Sequence, residues 1–320
     1  MFSPVEDFPR DLAEFERRFA TEAACRVYLA QLRWPDGFRC PRCGQAKAWP
    51  ARGGLLWHCA ACGHQASVTA GTIFQDTRTP LITWFRAMWW VTSQKTGVSA
   101  LGLQRVLGLR SYKTAWAWLH KLRRAMVRPG RDRLTGRVEV DDAYIGGVHP
   151  GGRGRQLETK ALVGVAVEVD KHRVGRIRVR RVPDASGPSL MAFVQEAVEP
   201  RSLVHTDGWM GYEPLRRHGY RHRITFLQGQ AQSPSQLLPH VHRVVSLLKR
   251  WLLGTHHGAV THQHLDYYLD EFTFRFNRRR SRSRGQLFFR LVQQAVAVAP
   301  APYESLVRYA RLPPLPDHNI

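Results

Sequence analysis

Two pairs of closely spaced cysteines constrain the N-terminal part of this chain more than any other feature. Two residues separate Cys40 from Cys43 and Cys59 from Cys62, and fifteen residues lie between the pairs. Two such pairs at this separation supply the four thiolate ligands of a tetrahedral zinc site. A pair of disulfides is the alternative, but disulfides do not persist in the cytoplasm. We therefore interpret the four cysteines as ligands of a structural Zn2+ in a ribbon over residues 36–70.

The chain is strongly basic. Its 320 residues include 48 Lys and Arg against 25 Asp and Glu, a formal net charge of +23. An excess this large is typical of proteins that bind a polyanion. The sequence has no apolar run near the ~20 residues of a membrane span, and it begins with no basic-then-apolar signal pattern. We expect a cytoplasmic, nucleoid-associated protein that binds nucleic acid and no membrane; a merely basic soluble protein is the alternative.

Helical patterns flank the ribbon, over residues 1–35 and 71–130. In the second region a short helix ends at Gly108 and another begins at Ser111, which is the pattern of a helix-turn-helix motif. An ordinary helical hairpin has the same pattern, so the charge and the ribbon are what favour DNA binding here. The second helix carries the cations that we predict to contact the major groove: Lys113, Lys121, Arg123 and Arg124.

The pattern changes to β-strand after Pro129 and Gly130. Short apolar segments then alternate with one helical segment before a longer helix begins near His240. This order predicts a mixed α/β domain over residues 131–280, followed by a C-terminal helix and tail over 281–320. The predicted strands span 138–145, 161–169, 175–182 and 203–205, and the helix between the last two spans 188–197.

Acidic residues near the strand ends are the candidates for chemistry. A basic protein that acts on phosphodiesters needs carboxylates to hold one or two divalent cations. Glu139 and Asp141 share one face of the first strand, while Asp142 points to the other, because side chains alternate along a strand. Asp207 follows the short buried strand at 203–205. Turn formation is the alternative role for Asp207, since a glycine comes next.

His242 and Lys249 lie in the helix that begins near His240. Seven residues separate them, which is about two turns, so they share one helix face. The segments that contain these residues resemble the bacterial transposases of insertion-sequence family 1595 (the ISXO type). The resemblance covers nearly all of residues 20–300. It rests on the ribbon cysteines and on five motifs: Ser67–Phe74, Val138–Gly147, His205–Trp209, Ser246–Trp251 and Tyr268–Arg279.

The resemblance implies a multidomain α/β protein, with an N-terminal zinc ribbon and helix-turn-helix followed by an RNase H-like DDE-type catalytic domain. It implies an enzyme that binds the terminal inverted repeats of its element, cleaves there, and joins the freed 3′-hydroxyl to target DNA. Asp141 and Asp207 fill the first two positions of the metal-binding triad, with Mg2+ or Mn2+ as the catalytic cation. Lys249 fills the basic position beside the cleaved phosphate, and Arg250 is a further DNA contact. Because two DNA ends must meet, we expect a homodimer or a larger assembly on double-stranded DNA.

The third position of the triad falls on His242. A neutral imidazole binds Mg2+ less well than a carboxylate does, and it adds no negative charge. Three interpretations stay open: His242 is the third ligand, Glu271 takes its place, or the third ligand is absent. Glu271 precedes Arg275 by four residues, a spacing that favours a helical ion pair. Two other functions also stay open: a zinc-ribbon DNA-binding protein that has lost catalysis, and an RNase H-like nuclease that cuts without joining.

Overall fold

The computed structural model of the chain describes residues 7–52, 55–128, 130–146, 160–171, 173–226, 233–257 and 260–308. Pro129, Gly147 and the tail beyond residue 308 lie outside these residues. The chain divides into two compact units, one of residues 1–129 with 280–320, the other of residues 130–279. In the described part, no helix combines the length and the apolar character that crossing a membrane requires.

The described residues form eleven α-helices and two β-sheets. The helices are α1 (Leu12–Arg18), α2 (Glu22–Arg33), α3 (Leu81–Ser93), α4 (Ala100–Leu107), α5 (Tyr112–Ala125), α6 (Gly187–Ala197), α7 (Pro234–Leu237), α8 (Pro239–His256), α9 (Leu265–Asn277), α10 (Arg284–Ala295) and α11 (Tyr303–Arg308). The strands are β1 (Ala48–Ala51), β2 (Leu56–Cys59), β3 (Gln65–Ser67), β4 (Arg137–Ile145), β5 (Ala161–Asp170), β6 (Arg173–Arg181), β7 (Leu203–Thr206) and β8 (Arg221–Ile224).

Side-chain caps set the helix ends of the first unit. The Thr21 hydroxyl accepts the Ala24 N–H and begins α2, so the N-terminal helical segment is two helices. Gly108 ends α4 in the left-handed conformation, and the Ser111 hydroxyl accepts the Lys113 N–H to begin α5. These two ends agree with the sequence-based prediction. The α4–α5 pair has the predicted helix order; its binding to DNA stays a prediction.

Helix α10, from the C-terminal part of the chain, completes the core of the first unit. Phe288 of α10 is fully buried. The aromatic rings around it belong to α1, α2 and α3, and one belongs to Phe19, directly after α1. Its ring centroid lies 5.4–6.3 Å from those of five others: Phe15, Phe19, Tyr28, Phe85 and Trp89. Aromatic rings bury more area than any other side chain, so this cluster holds α10 to helices more than 190 residues away in sequence.

The second unit is a five-stranded sheet in the order β6-β5-β4-β7-β8. β4 is antiparallel to β5 and parallel to β7; β5 and β6 are antiparallel, and β7 and β8 are parallel. Helices α8 and α9 cover one face and α6 covers the other. The nearly continuous apolar sequence of β5 follows from burial on both faces. Gly164 of β5 leaves room for Phe193 of α6, whose ring lies only 2.8 Å from where a Cβ would be.

Candidate active site

The four cysteines of the ribbon meet at one point. One sulfur atom from each lies within 4.8 Å of the others, with Cys40 and Cys62 at 3.7 Å and Cys43 and Cys59 at 3.6 Å. A tetrahedral Zn2+ with Zn–S bonds of about 2.3 Å separates its sulfur atoms by about 3.8 Å. The spacing of the sulfur atoms therefore fits a Zn2+ ion bound by the four cysteines, as the sequence predicts.

Backbone hydrogen bonds shape each half of this zinc site. Gly44 and Gly63 adopt positive φ, and their N–H groups donate to the carbonyls of Cys40 and Cys59. The backbone amides of Cys62 and Ala61, together with the neighbouring thiols, lower the pKa of Cys59 to about 6 against the opposing effect of burial. A lowered pKa favours the thiolate, which is the form that binds metal. For Cys43 the Gln45 backbone amide lowers the pKa, but hydrogen bonds with the other thiols and burial raise it to about 12.

Asp141, Asp207, His242 and Lys249 line one cleft of about 340 Å3 in the second unit. The parallel register of β4 and β7 explains how the two carboxylates come together. Glu139 is level with His205, and the aspartates lie two residues further along each chain. Both therefore reach the carboxyl end of the sheet, where ligands bind in open α/β folds. The other residues around the cleft are Asp142, Ala143, Tyr144, Trp209 and Val245.

Burial and negative charge act together on Asp141. Burial is the largest cause that raises its pKa to about 7, and the charges of Asp142 and Asp207 raise it further. The Asp142 N–H, which donates to Asp141 Oδ1 at 2.9 Å, opposes this rise. Asp207 also accepts the Trp209 N–H at 3.1 Å, so it has the turn role as well as its place in the cleft. Carboxylates held together in this way are stabilised by a cation.

His242 brings its imidazole to the same carboxylate. Its Nε2 lies 3.8 Å from Asp141 Oδ2 and has no hydrogen-bond partner among the described residues. Burial lowers the pKa of His242, so the neutral ring is favoured, and a neutral ring can bind metal. Lys249 is exposed two turns further along α8, and Arg250 beside it is also exposed.

These side chains fit a divalent cation. Two carboxylates repel each other across the cleft, and a buried imidazole nitrogen beside them lacks a partner. The ligand atoms of Asp141, Asp207 and His242 do not all lie within 4.8 Å of one another, so this arrangement is more open than the zinc site. Among the described residues, only the four cysteines bring one ligand atom each within 4.8 Å of the others.

Two family models match the chain. Residues 133–277 match the ISXO2-like transposase domain, and residues 20–65 match the transposase zinc-ribbon domain. The chain belongs to the insertion-sequence 1595 family of transposases. It is 26% identical over 281 residues to an uncharacterized protein in transposable element ISH50 of Halobacterium salinarum, a match that covers 81% of this chain and 92% of the relative.

In this transposase Glu271 is not a cleft residue. It is buried in α9, where its Oε1 accepts from Arg275 at 2.7 Å. The predicted helical ion pair is therefore confirmed. Glu271 is not among the residues that line the cleft, so the interpretation of it as the third ligand loses its support.

The cations predicted to contact DNA differ in exposure. Lys113 is exposed at the start of α5, whereas Lys121 and Arg124 are half-buried, and burial lowers the pKa of Lys121. Arg123 is only 2% exposed, so its assignment as a DNA-binding residue is corrected. It follows Leu119 by four residues and therefore lies on the buried face of α5. The helical spacing could have revealed this from sequence.

Two aromatic residues without a predicted role also line the cleft of the transposase. Tyr144 lies near the end of β4, and Trp209 follows Asp207 by two residues. The Trp209 indole N–H donates to the Ala185 carbonyl at 2.8 Å, which fixes the ring at the edge of the cleft. Tyr144 belongs to the same sequence motif as Asp141, and Trp209 to the same motif as Asp207. This proximity in sequence could have identified both aromatic residues as cleft residues.

Proposed function

We propose that this transposase binds the terminal inverted repeats of its element, cleaves the DNA there, and transfers the freed 3′-hydroxyl to target DNA. The observation that carries the proposal is the single cleft lined by Asp141, Asp207, His242 and Lys249. These residues come from β4, from the end of β7 and from α8, yet they share the space that phosphodiester chemistry needs. A core-packing role alone does not explain two repelling carboxylates at a solvent-accessible cleft.

The residues of the cleft have distinct roles in this proposal. Asp141 and Asp207 hold divalent cations through their carboxylates, and His242 completes the set through its unpartnered Nε2. Bound Mg2+ or Mn2+ would promote attack by water or a hydroxyl and stabilise charge in an in-line displacement. The exposed ammonium of Lys249 contacts a phosphate next to the cleaved bond and positions the DNA strand.

The imidazole of His242 affects the choice of metal. Nitrogen ligands suit Mn2+ better than Mg2+, which prefers oxygen. A neutral ring also adds no negative charge to the metal ligands, where a third carboxylate would add one. We therefore propose that this transposase is more active with Mn2+ than with Mg2+.

We also propose which parts of the chain bind the repeats and that the catalytic domain is RNase H-like. The ribbon and the α4–α5 pair read the repeats as a helix-turn-helix module, with Lys113 exposed at the start of the second helix. An RNase H-like core is supported by the acids on neighbouring parallel strands at the centre of a mixed sheet. Pairing of two element ends requires at least a dimer on DNA.

A strand-joining assay tests the proposal. Purified protein is incubated with a labelled duplex that ends in the inverted repeat and with a target plasmid, in Mg2+ or in Mn2+. Joined product that is absent with Asp207→Ala supports the transposase. Cut duplex without joined product supports a nuclease, and tight repeat-specific binding without cleavage supports a DNA-binding protein that has lost catalysis.

A further inference from the structure

Glu139 is a fully buried carboxylate that does not line the cleft. It lies on β4, two residues before Asp141. Its Oε2 accepts the backbone N–H groups of His240 at 2.9 Å and Val241 at 3.1 Å. Its Oε1 lies 2.7 Å from His240 Nδ1 and 3.7 Å from the Arg137 guanidinium. One side chain of the strand thus binds the first turn of α8.

The sequence at the start of α8 explains why the helix needs this partner. The N-cap residue is Leu238, which has no side-chain oxygen to accept a hydrogen bond, and Pro239 has no N–H. The N–H groups of the first turn must then find an acceptor outside the helix. The Glu139 carboxylate supplies it, and a negative charge also suits the positive end of the helix dipole.

This cap fixes where α8 lies along β4. Glu139 binds His240. Asp141 follows Glu139 by two residues on the strand, and His242 follows His240 by two residues on the helix. The two candidate metal ligands thereby meet with Asp141 Oδ2 and His242 Nε2 3.8 Å apart. Lys249 follows on the same helix and reaches the same cleft.

We propose that Glu139 is a positioning residue of this transposase: its carboxylate clamps the first turn of α8 to β4 and so holds His242 beside Asp141 for a divalent cation. The part of the inference that concerns DNA joining rests on the proposed function. Glu139 touches neither DNA nor the reacting atoms in this account. It acts through the helix that it caps.

Three variants separate positioning from general stability. Glu139→Ala removes both acceptors of the clamp. Glu139→Gln keeps one acceptor and can keep all three hydrogen bonds, because the amide oxygen accepts the two backbone N–H groups and the amide nitrogen donates to His240 Nδ1 in the tautomer that lacks a proton there. Val140→Ala is the matched control, since Val140 is equally buried, adjacent in β4, and packed on the opposite face of the sheet, away from α8.

The first experiment uses Mn2+ alone on the full-length, zinc-loaded chain. Free Mn2+ is followed by electron paramagnetic resonance during titration, with Asp141→Ala to identify the cleft site. We expect Glu139→Ala to weaken Mn2+ binding roughly ten- to a hundredfold, as loss of a residue that orients a ligand does. Glu139→Gln and Val140→Ala should bind Mn2+ close to wild type. Amide exchange over residues 240–245 should rise in Glu139→Ala only.

The second experiment measures strand joining by the same variants. We expect Glu139→Ala to lower the joining rate at saturating DNA without changing affinity for the repeat duplex, and higher Mn2+ to restore part of the rate. If Glu139→Ala binds Mn2+ as tightly as wild type, the positioning role of Glu139 is wrong. It is also wrong if Val140→Ala loses as much Mn2+ affinity as Glu139→Ala. If wild type binds Mn2+ and Glu139→Ala does not, but neither joins DNA, the clamp stands and the proposed function fails. A wild-type protein without a cleft site for Mn2+ overturns both.

Discussion

Replacement of Asp141 by asparagine should stabilise the metal-free second unit at alkaline pH. Asp141 is 9% exposed and lies with Asp142 and Asp207 in a cleft that concentrates negative charge. Asparagine has the same shape and keeps an oxygen that accepts the Asp142 N–H, but it does not ionise. The substitution therefore removes the charge and replaces one carboxylate oxygen with an amide nitrogen that donates.

The pKa of Asp141 gives the size and the sign of the effect. Burial first, then the charges of Asp142 and Asp207, raise this pKa from 3.8 to about 7. Each pKa unit corresponds to roughly 1.4 kcal/mol, so ionisation of Asp141 destabilises the folded unit by about 3–5 kcal/mol. Because the folded-state pKa lies above the unfolded one, the stability is fully present below about pH 4 and is lost as the pH rises through about 7. Asp141→Asn should lack this loss.

Hydrogen exchange of the β5 amides measures the stability of the second unit separately from the first. Wild type, Asp141→Asn and the control Asp170→Asn are compared at pH 6 and pH 8 in buffer free of Mg2+ and Mn2+. Asp170 is exposed, so its substitution should change little. We expect Asp141→Asn to be about 3–5 kcal/mol more stable than wild type at pH 8, with a smaller difference at pH 6. Added Mn2+ should stabilise wild type more than the variant.

Equal stability of wild type and Asp141→Asn at pH 8 would contradict the expected cost of ionising Asp141. So would a variant that is less stable than wild type without metal. Either result would mean that the Asp141 carboxylate is satisfied by the protein alone, and that the cleft has no excess of negative charge for a cation to neutralise.

Three further predictions concern other parts of the transposase. Cys59→Ser should release zinc, abolish amide protection in β1–β3 and prevent repeat binding, because ligand binding and folding are coupled in small zinc domains; a protected ribbon without zinc would contradict this. Phe288→Ala should destabilise the first unit by about 3–5 kcal/mol, seen as faster exchange in α3, since a buried ring leaves a cavity; unchanged exchange would show that α10 does not complete that core. Lys249→Ala should slow strand joining while Mn2+ affinity stays at the wild-type value, and a loss of Mn2+ binding would show that Lys249 acts on the metal site and not on the DNA.

Local features of the fold could be predicted from the sequence. The helix Leu81–Ser93 begins directly after Pro80 and contains an apolar run, and both features can be read from the sequence. The strands β4, β5 and β6 differ from their predicted bounds by one or two residues. The N-terminal segment differs more, since Thr21 interrupts it with a new N-cap. Caps and periodicity act over a few residues, which is why the sequence reveals them.

Contacts between distant segments could not be predicted in the same way. The cap that Glu139 gives to His240 joins residues 101 apart, and periodicity only indicated that Glu139 shares a face with Asp141. The burial of Phe288 among rings of the N-terminal helices could not be predicted either. An apolar face shows that a helix packs against something, but it does not show which helix is the partner. The grouping of His242 with the aspartates came from the family resemblance.

The proposed metal site requires that His242 shares a divalent cation with Asp141 and Asp207. Electron spin echo spectroscopy of Mn2+ bound to the full-length protein tests it directly, because an imidazole nitrogen on the metal modulates the echo. We expect nitrogen modulation in wild type and in Glu139→Gln, and its loss in His242→Ala, with zinc content unchanged. Modulation that persists in His242→Ala, or a wild-type protein that joins DNA without any nitrogen modulation, would contradict the assignment of His242 as the third ligand.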